Sequence, residues 1–123
     1  MYEIIFLPIA KQDITDIILY ISDQLNAPKA AKAAMDLLEV LEHSIFLLRD
    51  FPYAHKIYRP IKPLGEDYRM LIVKNYAVFY VVREEEKIVE VYRIIYAKMN
   101  FFGVVKDGRH SNKYGEKYKK YGK

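Results

Sequence analysis

The stretch YRMLIVKNYAVFYVVREEEKIVEVYRIIYAK, residues 68–98, decides the fold. It contains three runs rich in β-branched and aromatic residues, a composition that favours extended structure: Tyr68 to Val73, Tyr76 to Arg83 and Ile88 to Tyr96. Only two residues, Lys74-Asn75, join the first run to the second, and asparagine tolerates positive φ. A charged turn, residues 84–87, joins the second run to the third. Because strands with such short links pair with their neighbours, the stretch predicts an antiparallel meander.

The residues before position 52 predict one strand and two helices. Residues 2–7 are mostly β-branched and aromatic, and Pro8 ends this first strand because proline cannot donate to a ladder. Residues 10–25 place apolar side chains three and four positions apart, which is typical of an amphipathic helix. A second helix should begin at Asn26-Ala27-Pro28, where Asn26 supplies a capping side chain.

The second helix should continue until Asp50-Phe51-Pro52 stops it, and the short connection requires the two helices to form an antiparallel hairpin. Lys56 to Ile61 is a further candidate strand, placed at an edge because it contains Pro60. The predicted class is therefore α+β: an N-terminal strand and a helical hairpin packed on a three- to four-stranded antiparallel sheet.

Composition limits the chemistry of the chain. Its 123 residues are 52% hydrophobic and 29% charged, which fits one compact domain. The absence of cysteine excludes disulfides and thiolate catalysis, and the three histidines lack the spacing of a metal site, so we expect neither metal nor cofactor. No window is long and apolar enough to span a membrane, and the residues MYEIIFLPIAK lack the cationic region and long apolar run of a signal peptide, so we expect neither feature. We expect a cytoplasmic protein without a membrane partner.

The net charge of +4 is concentrated at the C-terminus. Residues 106–123 hold seven Lys or Arg against two acidic residues, which leaves residues 1–105 with a net charge of −1. We therefore divide the chain into a domain, residues 1–105, and a basic tail with tyrosine and glycine, residues 106–123. Without aliphatic residues the tail cannot form a core face; a solvated extension and a contact for single-stranded nucleic acid both fit its composition.

Several segments of the first 105 residues resemble the RelE/ParE superfamily of toxins from bacterial type II toxin–antitoxin modules. The matching features keep the family's order and spacing: the strand end Leu7-Pro8, the helix motif from Asp13 to Ile21, the helix end from Leu47 to Pro52, and sheet segments 66–71, 75–82 and 91–98. The resemblance implies a RelE/ParE-like fold and a growth-inhibiting toxin of the plasmid-stabilising kind. It also implies a cognate antitoxin that holds the toxin inactive.

The resemblance leaves two kinds of target open. RelE-like members cut messenger RNA on the ribosome with basic and tyrosine side chains, whereas ParE-like members act on DNA gyrase. Attack of a ribose 2′-hydroxyl on the neighbouring phosphate needs a base, an acid and cations, and it needs no metal. Of five positions where RelE-like members carry such groups, one holds Arg69 and the others are apolar: Leu71, Ala77, Met99 and Val105.

The apolar positions favour ParE-like action on a macromolecule such as DNA gyrase. A metal-independent endoribonuclease that cuts ribosome-bound mRNA is the alternative, and an inactive antitoxin-binding relative is a second alternative. Whether the chain is an enzyme therefore stays open at this point.

Two residues are catalytic candidates. Arg69 could bind phosphate from its strand, and His55 could act as acid or base near neutral pH from the connection between helix and sheet. The candidates for contact with nucleic acid or another target are basic: Arg59, Arg69, Arg93 and Lys98. Strand parity places Arg93 on one face with Val91 and Ile95, either lining a binding surface or buried with a carboxylate.

Tyrosines are the candidates for antitoxin binding. Twelve tyrosines occur in the chain, and a ring with one polar end suits a peptide interface. The strand region supplies the candidates: Tyr68, Tyr76, Tyr80 and Tyr96.

Overall fold

A computed structural model of the chain describes residues 1–60 and 64–98. Its elements follow in the order β1 (Glu3–Phe6), α1 (Pro8–Gln24), α2 (Ala27–Phe46), a 3-10 turn (Leu47–Arg49), β2 (Arg69–Val73), β3 (Tyr76–Arg83) and β4 (Ile88–Tyr96). The α+β class, the two helices and the three C-terminal strands are as predicted. The basic tail, residues 106–123, lies outside the described residues.

The sheet has the strand order β1-β4-β3-β2. The predicted meander is confirmed, because β2 pairs antiparallel with β3 and β3 pairs antiparallel with β4. The first strand differs from its neighbours, since β1 pairs parallel with β4. Both helices lie between β1 and the meander in sequence, and a connection of that length allows a parallel arrangement. The sheet is therefore mixed, although most of its pairs are antiparallel.

The helices begin and end close to the predicted positions. Pro8, which ends the first strand, also stands in the first turn of α1, where its missing N–H costs nothing. Asn26 is the N-cap residue of α2, but its side chain makes no capping hydrogen bond, contrary to expectation. The chain leaves α2 through the 3-10 turn before Pro52. Within the described residues, neither helix has the length and apolar character needed to cross a membrane.

The predicted edge strand over residues 56–61 is corrected to a short contact. Ile57 forms one isolated bridge with Arg69. Two backbone hydrogen bonds accompany it, from Tyr58 N to Tyr68 O at 2.7 Å and from Met70 N to Lys56 O at 3.1 Å. Pro60 has no N–H with which to extend the pairing, and Ile61 lies outside the described residues.

Both faces of the sheet are buried. On one face, α1 and α2 cover the sheet, and the cluster there includes Leu41, Ile45, Val78, Tyr80, Val91 and Ile94. On the other face, the segment before β2 contributes to a second cluster, which includes Leu64, Tyr68, Phe79, Tyr92 and Ile95. Successive side chains of a strand point to opposite faces of a sheet. Because both faces are buried, nearly every position of β3 and β4 is apolar.

Candidate functional site

A bulge in β4 decides where Arg93 points. Val91 and Arg93 pair with adjacent residues of β3, so Tyr92 is an extra residue between them. Beyond this bulge the alternation shifts, with Val91 in the helix-side cluster and Ile95 in the opposite one. The parity that placed Arg93 on one face with both residues was therefore wrong.

Arg93 is buried, with 2% of its surface exposed. Its Nε and Nη2 each donate a hydrogen bond of 2.8 Å to the carboxylate of Asp13 in α1. The same carboxylate accepts a third bond, of 2.9 Å, from the backbone N–H of Ile94. Burial raises the pKa of Asp13, and the hydrogen bonds and positive charge of Arg93 offset part of that rise. Arg93, a candidate for target contact, is therefore placed inside the fold with a carboxylate partner.

Arg69, at the start of β2, holds the connection between helix and sheet. Its Nη1 donates to the backbone carbonyl of His55 at 2.8 Å, and its guanidinium lies 4.8 Å from the ring centroid of Tyr53. Partial burial lowers the pKa of His55, which favours the neutral imidazole at pH 7. The structure thus brings the two catalytic candidates together, but Arg69 binds the backbone carbonyl of His55 and not its imidazole.

The remaining basic candidates are exposed and spread over the fold. Arg59 follows the short bridge at Ile57, and Lys98 follows β4. Arg69 lies opposite Tyr80 at one end of the sheet, whereas Lys98 lies just beyond Tyr96 at the other end. These cations therefore do not converge on one site.

Two of the four tyrosine candidates belong to the core. Tyr68 is 1% exposed, with its ring centroid 5.0 Å from that of Tyr92. Tyr80 is fully buried and its hydroxyl donates to the backbone carbonyl of Pro52 at 2.8 Å. Burial raises the pKa of Tyr80 to about 12. Neither ring is presented to a partner, which corrects their placement on an antitoxin-binding surface.

The other two candidates, Tyr76 and Tyr96, lie at an accessible end of the sheet. They are paired across β3 and β4, with ring centroids 6.0 Å apart in a T-shaped arrangement. Burial raises the pKa of Tyr76, and the nearby phenols of Tyr96 and Tyr20 raise it further. Tyr20 of α1 thus joins this group. In the sequence it was notable only as part of the helix motif from Asp13 to Ile21.

At the opposite end, Glu84 gathers three donors. The hydroxyls of Tyr2 and Tyr53 each donate to it at 2.6 Å, and Lys87 donates from within the same turn. These bonds, that of Lys87 above all, lower the pKa of Glu84 to about 2. The exposed cluster joins the start of β1, the loop after α2 and the turn between β3 and β4.

A groove of about 810 Å³ lies between β1 and the two helices. Its apolar lining includes Ile4, Phe6, Ile14, Leu38, Leu41 and Ile45. Sequence patterns gave no sign of this groove, because three separate elements build it.

The outer edge of β1 borders the groove. The N–H groups of Glu3 and Leu7 donate to the carbonyls of Lys87, just before β4, and of Val91 in β4, at 2.9 and 3.0 Å. Alternation therefore turns the backbone groups of Ile4 and Phe6 away from the sheet. Within residues 1–60 and 64–98, no backbone group pairs with that outer side of Ile4 or Phe6. The edge can therefore accept a further strand.

Metal binding has no support in the described part of the chain. There, no group of three or more His, Cys, Asp or Glu side chains is placed to hold an ion.

One comparison with known proteins identifies a family, and another shows a shared fold. A family model described as "ParE toxin of type II toxin-antitoxin system, parDE" matches residues 4–101. A solved structure described as "Chromosomal ParDE TA system from P. aeruginosa" contains a similar chain, with a TM-score of 0.60 and 18% sequence identity. The match covers 80% of this chain and 98% of that chain, and at this identity it shows the shared fold. A search of curated proteins gave no match.

Proposed function

Since the chain belongs to the ParE toxin family of type II toxin–antitoxin systems, we propose that it is a toxin that inhibits growth by binding DNA gyrase. The observation that carries the proposal is that all three arginines of the described sheet are engaged within the fold, Arg83 with Glu66 and Glu90. Arg93 is bound to Asp13, and Arg69 is bound to the carbonyl of His55. The cations that could have balanced a phosphorane on the sheet therefore serve the fold.

The positions around Arg69 support binding over RNA cleavage. Leu71 is 6% exposed and Ala77 is fully buried, so neither position offers a side chain that could move a proton or bind phosphate. With so few side chains on the sheet that could transfer a proton or bind phosphate, the toxin is better suited to binding a protein target than to cleaving RNA.

The antitoxin partner would dock at the groove beside β1. An extended antitoxin segment can pair with the outward backbone groups of Ile4 and Phe6 and extend the sheet by one strand. Because side chains alternate along a strand, every second residue of that segment would enter the apolar groove. The proposal thus places the antitoxin at the groove, whereas the sequence analysis placed it on the strand tyrosines, of which Tyr96 is exposed.

Substitution of one groove residue tests the docking surface. Leu38 lines the groove, and Leu38→Glu would place a charge against the incoming apolar side chains. The variant should lose co-purification with a co-expressed cognate antitoxin. Leu19→Glu is the matched control, because Leu19 is 57% exposed on α1 and does not line the groove. Equal loss in both variants, or in neither, would contradict the proposed surface.

Induction of the chain in a bacterium without its antitoxin tests the activity. We expect growth arrest with altered DNA supercoiling, and Arg69→Ala should keep the arrest. Arrest with cleaved messenger RNA would instead support the endoribonuclease. Normal growth with intact antitoxin binding would support the inactive relative.

A further inference from the structure

Three tyrosines and two lysines meet where β3 begins and β4 ends. We call this surface, made of Tyr20, Lys74, Tyr76, Tyr96 and Lys98, the tyrosine end. Tyr76 and Tyr96 are cross-strand partners whose ring centroids lie 6.0 Å apart, and Tyr20 lies close to Tyr76. Tyr20 is 62% exposed and Tyr96 is 41% exposed, so both rings offer open aromatic surface.

The Asp13–Arg93 pair explains why Tyr20 reaches this end. Tyr20 lies seven residues beyond Asp13 in α1, a rise of about 10.5 Å. Tyr96 lies three residues beyond Arg93 in β4, an advance of about 10 Å. Both tyrosines thus lie about 10 Å beyond the pair along their own elements, and the interaction of the Tyr20 phenol with Tyr76, the ring partner of Tyr96, places Tyr20 at this end.

The two lysines share this end of the sheet. Lys74 stands in the turn between β2 and β3, with a φ of 55°, and its side chain is exposed. The N–H of Ala97 donates to the carbonyl of Asn75 at 2.8 Å, which keeps Ala97 and the adjoining Lys98 beside that turn.

Acidic residues of the described sheet lie toward the opposite end. Glu84 to Glu86 form the turn between β3 and β4, and Glu90 pairs with Val81. The acids close to the tyrosine end belong to α1, where Asp16 and Asp23 lie about one turn on either side of Tyr20. A polyanion would therefore place its charges over the lysines, and away from the helix.

We propose that the tyrosine end binds single-stranded nucleic acid. Unpaired bases stack on the rings of Tyr20 and Tyr96, and phosphates lie against Lys74 and Lys98. An acidic peptide could pair its carboxylates with the two lysines, but it has no planar bases to stack on the exposed tyrosine rings. The rings therefore favour nucleic acid over an acidic peptide as the ligand. This binding goes beyond the proposed function, because it requires neither gyrase nor antitoxin.

The test measures how the full chain binds fluorescently labelled oligothymidylate and oligouridylate, each about twelve nucleotides long. We expect fluorescence anisotropy to show binding of one or both. The double variant Tyr20→Ala/Tyr96→Ala should bind at least about tenfold more weakly, because stacking on each ring is lost. Tyr20→Phe/Tyr96→Phe should bind like the wild type, since both rings remain.

Tyr53→Ala is the matched control. Tyr53 is 49% exposed and lies at the other end of the sheet, so its loss should leave the affinity unchanged. Every variant keeps the seven cations of residues 106–123, so a difference between variants does not arise from the tail. Circular dichroism checks that each variant is folded.

Salt dependence tests the lysines separately. In Lys74→Gln/Lys98→Gln, the slope of log affinity against log salt should fall by about 1.4, the value for two phosphate contacts on a single strand. Tighter binding of one oligonucleotide would identify DNA or RNA as the natural form of the ligand.

Three results would overturn the proposal. The first is that the wild type does not bind either oligonucleotide. The second is that the wild type and Tyr20→Ala/Tyr96→Ala bind with equal affinity. The third is that poly-glutamate displaces the labelled oligonucleotide as readily as unlabelled oligonucleotide does. The second result would assign the binding to another part of the chain, and the third would assign the surface to an acidic protein partner.

Discussion

Arg93 of β4 donates two hydrogen bonds of 2.8 Å to Asp13 of α1, directly beside the bulge at Tyr92. Asp13 also accepts the N–H of Ile94, so one carboxylate fixes both a side chain and the backbone of the strand. Because this pair joins α1 to the central part of the sheet, it sets how the helix lies across β4.

Removal of Asp13 should destabilise the fold strongly. Asp13→Ala removes the carboxylate that faces the buried guanidinium of Arg93, and the loss of one member of a buried ion pair typically costs about 3–5 kcal/mol. Urea unfolding followed by circular dichroism measures the loss. Asp23→Ala is the control on the exposed side of α1 and should change the free energy of unfolding by no more than about 0.5 kcal/mol. Similar effects of the two substitutions would contradict a structural role for the pair.

The hydroxyl of Tyr80 should contribute to stability and not to antitoxin binding. Tyr80→Phe leaves the carbonyl of Pro52 without its 2.8 Å hydrogen bond, at a cost of about 1–3 kcal/mol. Urea unfolding should show this loss, while the affinity of the folded variant for the antitoxin stays unchanged. Tyr96→Phe, at an exposed position, should alter neither quantity. Weaker antitoxin binding by folded Tyr80→Phe would mean that this ring takes part in the interface after all.

Glu84 should make stability depend on acid pH. Its pKa is about 2 in the folded chain and ordinarily 4.5, so its ionised form favours folding. The contribution is complete above pH 4.5 and disappears as the pH falls toward 2. The difference in urea midpoint between the wild type and Glu84→Gln should therefore be constant near neutrality and vanish in acid. Glu85→Gln, in the same turn, should match the wild type throughout, and a pH-independent difference for Glu84→Gln would contradict the assignment.

The sequence predicted the strands well where short turns enclose apolar runs. β3 and β4 have the predicted bounds, because Lys74-Asn75 and the charged turn at 84–87 mark their ends. The bulge at Tyr92 could not be predicted, since β4 is apolar on both faces and its composition does not reveal a change of parity. That single irregularity explains why Arg93 does not share one face with both Val91 and Ile95.

The functional surfaces were less accessible to sequence reasoning. Tyr68 and Tyr96 look alike as strand tyrosines, yet one is 1% and the other 41% exposed. Tyr68 packs into the second cluster against Tyr92, whereas Tyr96 stands at the last position of β4. The groove beside Ile4 depends on how β1 and both helices pack, and no local pattern encodes such an arrangement.

A direct test of the central claim adds the purified chain to DNA gyrase and, separately, to translating ribosomes. We expect the chain to inhibit gyrase supercoiling, Arg69→Ala to inhibit it equally, and ribosome-bound messages to remain intact. Cleaved messages with unaffected gyrase, and loss of that cleavage in Arg69→Ala, would contradict the account.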